Sequence, residues 1–277
     1  MKPRVMSLVI FTCVVGLLIA PNQINFITAT FALLSVAIGA GGAGALNMWF
    51  ESDIDALMKR TCLRPIPTGK ITRNQAFVFG IVTSFFSVVS LYFFSNFLSA
   101  VMLTITILFY VLIYTIWLKQ RTPQNIVIGG AAGAFPPIIG WTIATGGITL
   151  EPILLFLIIF FWTPSHFWAL SLYKTEDYNN AKIPMLPVVS GIQTTKINIF
   201  VYAIILFFIS ITPYYFFDYL GITYLFSSVL LGSYYVYLCY KLLVEKDEEK
   251  TIAKKIFIYS ILYLFLIFMI ILIDSIL

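Results

Sequence analysis

Nine apolar stretches follow one another along the chain, and they constrain its fold more than any other feature of the sequence. A helix that crosses a bilayer needs roughly 20 apolar residues. We predict membrane spans at about residues 5–20, 26–48, 75–95, 98–117, 125–145, 152–172, 197–217, 221–241 and 255–275. Since 60% of the residues are hydrophobic and only 10% are charged, a soluble core could not hide this apolar surface. We therefore predict an all-α integral membrane protein with nine transmembrane helices.

The positions of the lysines and arginines test these nine spans independently. All 17 lysines and arginines lie before the first stretch or in the connections after the second, fourth, sixth and eighth. Because lysine and arginine concentrate in cytoplasmic loops, we predict a cytoplasmic N-terminus and, with nine spans, an external C-terminus. The net charge of +5 follows from this asymmetry, and no basic stripe points to a nucleic-acid partner. The expected location is the cell membrane, as a multi-pass protein.

The connections on the cytoplasmic side are the long ones. Residues about 49–74 and 173–196 form the two longest, whereas the external connections are short. We therefore expect one polytopic domain, residues 1–277, with its active site in these two cytoplasmic loops. The cysteines, at positions 13, 62 and 239, lack the spacing of a metal site or a disulfide framework.

An acidic segment begins where the second span leaves the membrane. Asn47, Glu51 and Asp55 are four residues apart, so in a helix they project from one face. Two carboxylates and an amide oxygen suit Mg²⁺, which keeps several waters and bridges protein oxygens to phosphates. Asp53 points elsewhere. The alternative is an ordinary hydrated helix end. However, acidic residues are disfavoured at a helix C-terminus, and this loop is the richest in positive charge, so we favour a site.

A second acidic pair, Glu176 and Asp177, directly follows the sixth span. Exposed acids are common in loops, so the pair alone is weak evidence. Together with the first segment, it predicts a place where two metal ions and a diphosphate bind.

Basic residues on the same side provide candidate phosphate ligands, because guanidinium groups bind phosphate oxygens in pairs. The alternative is that they only set the topology. The candidates are Lys59, Arg60, Arg64, Lys119 and Arg121.

The sixth and fifth spans each carry one unusual feature. His166, the only histidine, lies near the inner end of the sixth. It is a candidate general base, a candidate porphyrin contact or a hydrogen-bonded bundle residue. Pro136 and Pro137 fall in the middle of the fifth span, where they remove two backbone donors and kink a helix. Irregular backbone at this depth is tolerated mainly where it is buried or lines a cavity.

Four segments carry a resemblance to a known family: Lys2–Val5, Asn47–Gly69 (NMWFESDIDALMKRTCLRPIPTG), Tyr114–Trp141 (YTIWLKQRTPQNIVIGGAAGAFPPIIGW) and Trp162–Val189 (WTPSHFWALSLYKTEDYNNAKIPMLPVV). They resemble the UbiA superfamily of intramembrane prenyltransferases and, within it, the protoheme IX farnesyltransferases, or heme O synthases. The resemblance extends to about residue 191, and the last two spans match only as apolar helices. It implies a bundle of nine helices around a central cavity.

The resemblance also implies an activity. Family members transfer farnesyl from farnesyl diphosphate to a vinyl group of heme B, with water, giving heme O and diphosphate. Mg²⁺ is the implied cofactor. Asn47, Glu51 and Asp55 match the first acidic motif as metal ligands, and Asp177 matches the second. Glu51 departs from the usual aspartate, which lengthens that ligand arm by a methylene group, and Ser52 stands where an arginine is common.

Further roles follow from this resemblance and from position. Arg60, Arg64, Lys119, Arg121, Lys174 and Glu176 are expected to bind the diphosphate substrate. Aromatic faces stabilise an allylic cation, and Tyr114, Trp117 and Tyr173 are candidates for this role near the cytoplasmic interface. The segment Ile183–Pro187 is a candidate lid. The implied partners are membrane lipid, heme B, a prenyl diphosphate, and proteins of terminal oxidase assembly or heme A synthesis.

Three other interpretations compete with this one. A related enzyme that prenylates a quinone or lipid precursor would share the metal site. A transporter would typically place ionisable residues near the bilayer midplane, and here they gather at one face. A phosphatidyltransferase of the CDP-alcohol type would carry an Asp-Gly-x-x-Ala-Arg signature, which the sequence lacks.

Overall fold

The structure is a computed structural model that describes residues 3–22, 24–59, 61–245 and 249–276. These residues form helices and connections, with no β-strand among them, so the predicted all-α fold class is confirmed. Lys2, Arg60 and Lys246, three of the cations used in the sequence argument, lie outside the described residues.

In the described residues, fourteen α-helices and one π-helix follow one another. They are α1 (Pro3–Leu18), α2 (Phe26–Phe50), α3 (Ser52–Leu57), α4 (Arg73–Phe94), α5 (Phe97–Leu108), the π-helix (Phe109–Leu118), α6 (Asn125–Ala134), α7 (Pro136–Thr145), α8 (Leu150–Tyr173), α9 (Thr175–Asn180), α10 (Leu186–Val189), α11 (Ile192–Ile211), α12 (Pro213–Phe216), α13 (Ile222–Val244) and α14 (Glu249–Ile276).

Eight helical segments in the described part of the chain are long and apolar enough to cross a membrane. They correspond to the second through ninth predicted spans, and three of them combine two consecutive helices, such as α6 with α7. The apolar part of α1, Met6–Leu18, is shorter than the others. A multi-pass membrane protein is therefore confirmed. The predicted number of nine spans is reached only if α1 also crosses the membrane.

Polar caps begin the membrane helices at the predicted connections. The Thr72 hydroxyl accepts a hydrogen bond from the Gln75 backbone N–H (3.2 Å), and the Gln75 side chain accepts one from the Thr72 N–H (2.9 Å). At the start of α5, the side-chain amide oxygen of Asn96, Oδ1, accepts from the Ser99 N–H at 2.9 Å. These bonds satisfy donors that the first helical turn leaves without partners. The capping residues therefore set where the apolar stretches become helices.

The chain divides into two compact units, and neither is a continuous segment. The first unit comprises Met1–Arg121, Phe135–Ile148 and Asn180–Ile183. Within it α2 packs along α4, and α1 packs against α7. Gly140 lies against the backbone of Cys13, and a side-chain carbon there would collide with it. Helices α1 and α7 therefore pack with their backbones in close approach, as small residues permit in membranes.

The second unit comprises Thr122–Ala134, Thr149–Asn179 and Pro184–Leu277. Helix α8 packs against α6, α11 and α14, and α13 packs against α11 and α14. Large aromatic side chains are fully buried in this unit, among them Trp168, Tyr235 and Tyr263.

The predicted interruption of the fifth span is present. Helix α6 ends at Ala134 and α7 begins at Pro136, whose missing N–H is harmless in a first helical turn. The Ile139 N–H donates to the Phe135 carbonyl at 3.0 Å. At this break the chain also passes from the second unit to the first.

Candidate active site

The first acidic segment lies at a junction between two helices. Helix α2 ends at Phe50 and α3 begins at Ser52. The backbone hydrogen bonds from Glu51 to Asn47 (3.0 Å) and from Asp55 to Glu51 (2.8 Å) nevertheless keep the four-residue spacing across the junction. Asn47, Glu51 and Asp55 are only 1%, 1% and 2% exposed. The hydrated helix end that was the alternative interpretation does not fit this burial.

The expectation that the acidic residues stand at a helix C-terminus is wrong for Asp53 and Asp55. Asp53 and Asp55 do not lie at the C-terminus of a long helix, because they occupy the first turn of α3. Negative charge is favoured at a helix N-terminus. The sequence did not show that the helix ends at Phe50 and restarts one residue later. The case for a site therefore depends on burial and partners, not on an unfavourable helix dipole.

Two cations pair with the two buried carboxylates. Nη1 of Arg64 donates to both carboxylate oxygens of Asp55, at 2.8 and 2.6 Å. Nζ of Lys119 lies 2.5 Å from Oε1 of Glu51. The side chains of Arg64 and Lys119 remain 19% and 18% exposed, against 3% and 2% for their acidic partners. We call these four residues the acid–base cluster. Its charges balance, which a buried carboxylate requires.

A hydrogen-bond chain from the π-helix orients Asn47. Its Nδ2 donates to the Thr115 hydroxyl at 3.0 Å, and that hydroxyl donates to the Tyr110 carbonyl at 2.8 Å. With the amide nitrogen directed at Thr115, the amide oxygen lies on the opposite side of the group. Thr115 is absent from the residues that the sequence predicts for this site, because a single sequence does not show its partner 68 positions away.

The π-helix also presents aromatic rings and one member of the cluster. The rings of Tyr110 and Tyr114 stack with centroids 5.5 Å apart, and Nζ of Lys119 lies 5.9 Å from the centre of the Tyr114 ring. The Lys119 N–H bonds the carbonyl of Tyr114, five residues back, at 3.0 Å. Such wide turns are rare in proteins, and those that occur are often found at functional sites. Trp117, by contrast, is 52% exposed.

The donor set of this site fits Mg²⁺. Glu51, Asp55 and Asn47 supply carboxylate and amide oxygens, the hard ligands that this ion prefers. In the described ranges, no group of three or more His, Cys, Asp and Glu residues has an arrangement that could hold a metal. Two carboxylates nonetheless suffice for Mg²⁺, which typically fills its remaining positions with water and substrate phosphate.

Other charged candidates of this loop lie at the surface. Asp53 pairs with Arg73 at 3.1 Å, and their side chains are 81% and 50% exposed. Arg121 and Lys59 are exposed. Ser52 is buried, and its hydroxyl has no hydrogen-bond partner among the residues described.

The second acidic pair belongs to the second unit, and its two members differ. Asp177 is 8% exposed, whereas the side chain of Glu176 is 83% exposed and lies 3.3 Å from Lys250. Both occupy the first turn of α9, where negative charge is favoured. Lys174, between α8 and α9, is exposed, and its Nζ lies 5.6 Å from the centre of the Tyr173 ring. Of the pair, only Asp177 has the burial of a ligand residue.

His166 lies inside the second unit, on α8. Its ring stacks between Trp162 (centroids 4.2 Å apart) and Phe257 (4.6 Å), and its Nδ1 lies 2.6 Å from the Ser260 hydroxyl. His166 is thus hydrogen-bonded inside the bundle, and its roles as a general base or a porphyrin contact stay predictions. The sequence analysis did not identify Ser260 as its partner.

The candidate lid segment is buried. Ile183, Met185 and Leu186 are 1%, 2% and 5% exposed, and α10 begins at Leu186. Ile183 ends the last segment of the first unit, and Pro184 opens the last segment of the second. The segment is thus a point where the chain passes between units, and its role as a lid stays a prediction.

Comparison with known proteins gives two kinds of match. The model of the UbiA prenyltransferase family matches residues 9–261. A protoheme IX farnesyltransferase of Pelagibacter ubique (strain HTCC1062) is 64% identical over 280 residues, which cover 100% of this chain and 92% of that protein. One of Bartonella bacilliformis (strain ATCC 35685 / KC583 / Herrer 020/F12,63) is 55% identical, covering 99% of this chain and 88% of that protein.

Solved structures share the fold at low sequence identity. A digeranylgeranylglyceryl phosphate synthase superposes with a TM-score of 0.81 at 20% identity, covering 99% of this chain and 95% of that one. A UbiA homologue from Archaeoglobus fulgidus bound to GPP and Mg²⁺ superposes with a TM-score of 0.69 at 16% identity, covering 97% of each chain.

Proposed function

Because the chain belongs to the UbiA prenyltransferase family, we propose that it is a protoheme IX farnesyltransferase. It transfers a farnesyl group from farnesyl diphosphate to a vinyl group of heme B, with water, and releases heme O and diphosphate. The observation that carries this proposal is the 64% identity, over the whole chain, to a protein of that name.

The proposed metal site consists of Asn47, Glu51 and Asp55. Its support is the buried oxygen donor set, together with the Mg²⁺ and GPP bound to a protein of the same fold. Bound Mg²⁺ would neutralise charge on the diphosphate as it leaves. Asp177 stays in the proposal as the acidic residue of the second motif, on the grounds of sequence and burial.

Arg64 and Lys119 have a second role in this proposal. Each neutralises a carboxylate, so neither acid is buried as an unpaired charge. Both cations keep nearly a fifth of their side-chain surface exposed, so a diphosphate can reach them. They can then donate to phosphate oxygens and stabilise the charge of the leaving group. Arg60, Arg121, Lys174 and Glu176 remain sequence-based candidates for the same substrate.

The proposed topology places this site at the cytoplasmic face. Helix α1 is the first of nine spans, the N-terminus is cytoplasmic, and the active-site loops lie on the side that collects the lysines and arginines. Proteins of terminal oxidase assembly or heme A synthesis are the proposed recipients of the product.

An assay with purified protein tests the reaction directly. The protein is incubated with heme B, farnesyl diphosphate and Mg²⁺, with and without EDTA, and the products are identified by mass spectrometry. We expect heme O only when the metal is available. Farnesylation of a quinone precursor without heme O would contradict heme B as the acceptor and would still support prenyl transfer as the reaction. Folded protein that prenylates neither acceptor would contradict the enzyme assignment.

A further inference from the structure

His166 is a buried nitrogen base that the acid–base cluster does not use. It lies seven residues before the end of α8 at Tyr173, which at 1.5 Å per residue is about 10 Å from the helix end. Trp162 stacks on one face of its ring with an interplanar angle of 18°, and Phe257 on the other with 23°. With both faces covered, only the edge of the imidazole can meet a ligand.

The hydrogen bonds of Ser260 assign the tautomer of this ring. A serine hydroxyl has one hydrogen, and Ser260 donates it to the Phe257 carbonyl at 2.7 Å. An oxygen that donates its hydrogen there accepts one from Nδ1 at the 2.6 Å contact with His166, which is the arrangement we assign. In a neutral imidazole whose Nδ1 carries the hydrogen, the lone pair is on Nε2.

The free edge of the ring is the Nε2 edge. No hydrogen bond to Nε2 occurs in the part of the chain that the structure describes, since Nδ1 makes the bond found for this side chain. Nε2 is also not among the fully enclosed polar atoms that lack a partner. The 6% of His166 that stays exposed therefore includes this nitrogen.

We propose that Nε2 of His166 binds the iron of the heme acceptor and that Ser260 is the positioning residue that holds the ring in this tautomer. The inference rests on the proposed function, which supplies an iron porphyrin as substrate. A neutral imidazole is the commonest protein ligand for metals and a frequent one for heme iron. Ligating histidines almost always bond their other nitrogen to a protein group, which fixes their orientation. Trp162 is held as well, because its Nε1–H donates to the Ser260 carbonyl at 2.8 Å.

Heme titration of the full chain in lipid nanodiscs tests the inference. Ferric and ferrous heme B are added to the wild type and to His166→Gly, and the iron ligand is read by absorbance and resonance Raman spectroscopy. We expect a histidine–iron signature in the wild type, its loss in His166→Gly, and its return when imidazole is added to that variant. Metal-free protoporphyrin IX should bind both proteins alike, since it offers no iron.

Variants of Ser260 test the positioning role. Ser260→Ala should weaken heme binding about 10- to 100-fold, as is typical when the partner of a ligating histidine is lost. Ser260→Thr keeps the hydroxyl and should keep the affinity. Tyr263→Phe is the matched control: it removes a hydrogen bond from the same helix, to the Ser210 hydroxyl at 2.7 Å, without touching His166. Its iron spectrum should equal that of the wild type.

The outcomes separate this inference from the proposed function. Heme O formation by the wild type, with an iron spectrum that His166→Gly leaves unchanged, would overturn the ligation and keep the farnesyltransferase. If His166→Gly loses farnesyl transfer but keeps the wild-type iron spectrum, the lone pair of Nε2 serves proton transfer. This result would also overturn the ligation of iron by His166. Iron ligation through His166 without any heme O would support the ligation and contradict the proposed function. If His166→Gly does not fold, the comparison of Ser260→Ala with Ser260→Thr decides whether His166 binds the iron.

Discussion

At the scale of single residues, the acid–base cluster is notable for the difference in burial between its acids and its bases. Glu51 and Asp55 are almost completely enclosed, whereas Arg64 and Lys119 retain contact with the outside. Removing one partner of a buried ion pair leaves an uncompensated charge, which is far more costly than losing an exposed pair. The two cations therefore compensate the charge of the buried acids.

The exposed acid next to the cluster provides a control for its metal-binding role. We expect Asp55→Asn to lower farnesyl transfer by at least about 100-fold, because a proposed metal ligand loses its charge. Asp53→Asn changes the same residue type two positions away, on the surface, and should lower it less than about twofold. Initial rates at saturating Mg²⁺, with circular dichroism as a check of folding, measure both. Equal activity of the two variants would contradict the proposed site.

The buried pair between Glu51 and Lys119 predicts a difference in stability. Lys119→Met should lower the free energy of unfolding by about 3 kcal/mol, because it removes a cation that pairs with a buried carboxylate. Lys250→Met breaks the exposed pair with Glu176 and should change it by less than about 1 kcal/mol. Denaturation of both variants in detergent micelles makes the comparison. A Lys119→Met protein as stable as Lys250→Met would show that Glu51 has other compensation.

Residue spacing predicted the acidic part of the site, and sequence could not predict the rest. The interval of four between Asn47, Glu51 and Asp55 survives the junction of α2 and α3 because the backbone hydrogen bonds continue through it. The pairing of Glu51 with Lys119, and the bond from Asn47 to Thr115, each join positions 68 apart. Contacts at such separation depend on how helices pack, which a single sequence does not encode locally.

At the scale of helices, hydropathy predicted the approximate limits of the long membrane helices, and prolines predicted the break between α6 and α7. The break before Pro136 and the starts of α4 and α5 follow from local chemistry. The π-helix does not, because its apolar sequence is compatible with an ordinary α-helix. The sequence did not predict the end of α2 at Phe50 either, because the backbone hydrogen bonds of Glu51 continue the same pattern into α3.

Packing of α1 on α7 should be sensitive to a single added carbon. Gly140→Ala places a methyl group against the backbone around Cys13, and overpacking of this kind typically costs about 1–3 kcal/mol. We therefore expect a lower melting temperature in detergent. Gly133→Ala is the matched control on α6, because no atom lies within 4 Å of the added carbon. It should melt at or above the wild-type temperature, since alanine favours helix. Equal melting of both variants would contradict the close packing.

At the scale of the whole molecule, the proposed topology can be tested with the native cysteines. Cys13 and Cys239 are buried, whereas Cys62 is partly exposed in the connection between α3 and α4. A membrane-impermeant maleimide should therefore label inverted vesicles and leave intact spheroplasts unlabelled. Cys62→Ser, which should abolish labelling, is the control. Labelling of spheroplasts through Cys62 would reverse the proposed orientation.

The packing of α1 against α7 has a consequence for biosynthesis. Helix α1 leaves the ribosome well before its main partner, which begins at Pro136, roughly 120 residues later. At about 5–20 residues per second, this short helix waits on the order of 6–24 s before α7 exists. The last segment of its unit, Asn180–Ile183, emerges later still. Translation order thus leaves α1 without its main partner while the helices between them are made, and the nascent chain must hold it in the bilayer meanwhile.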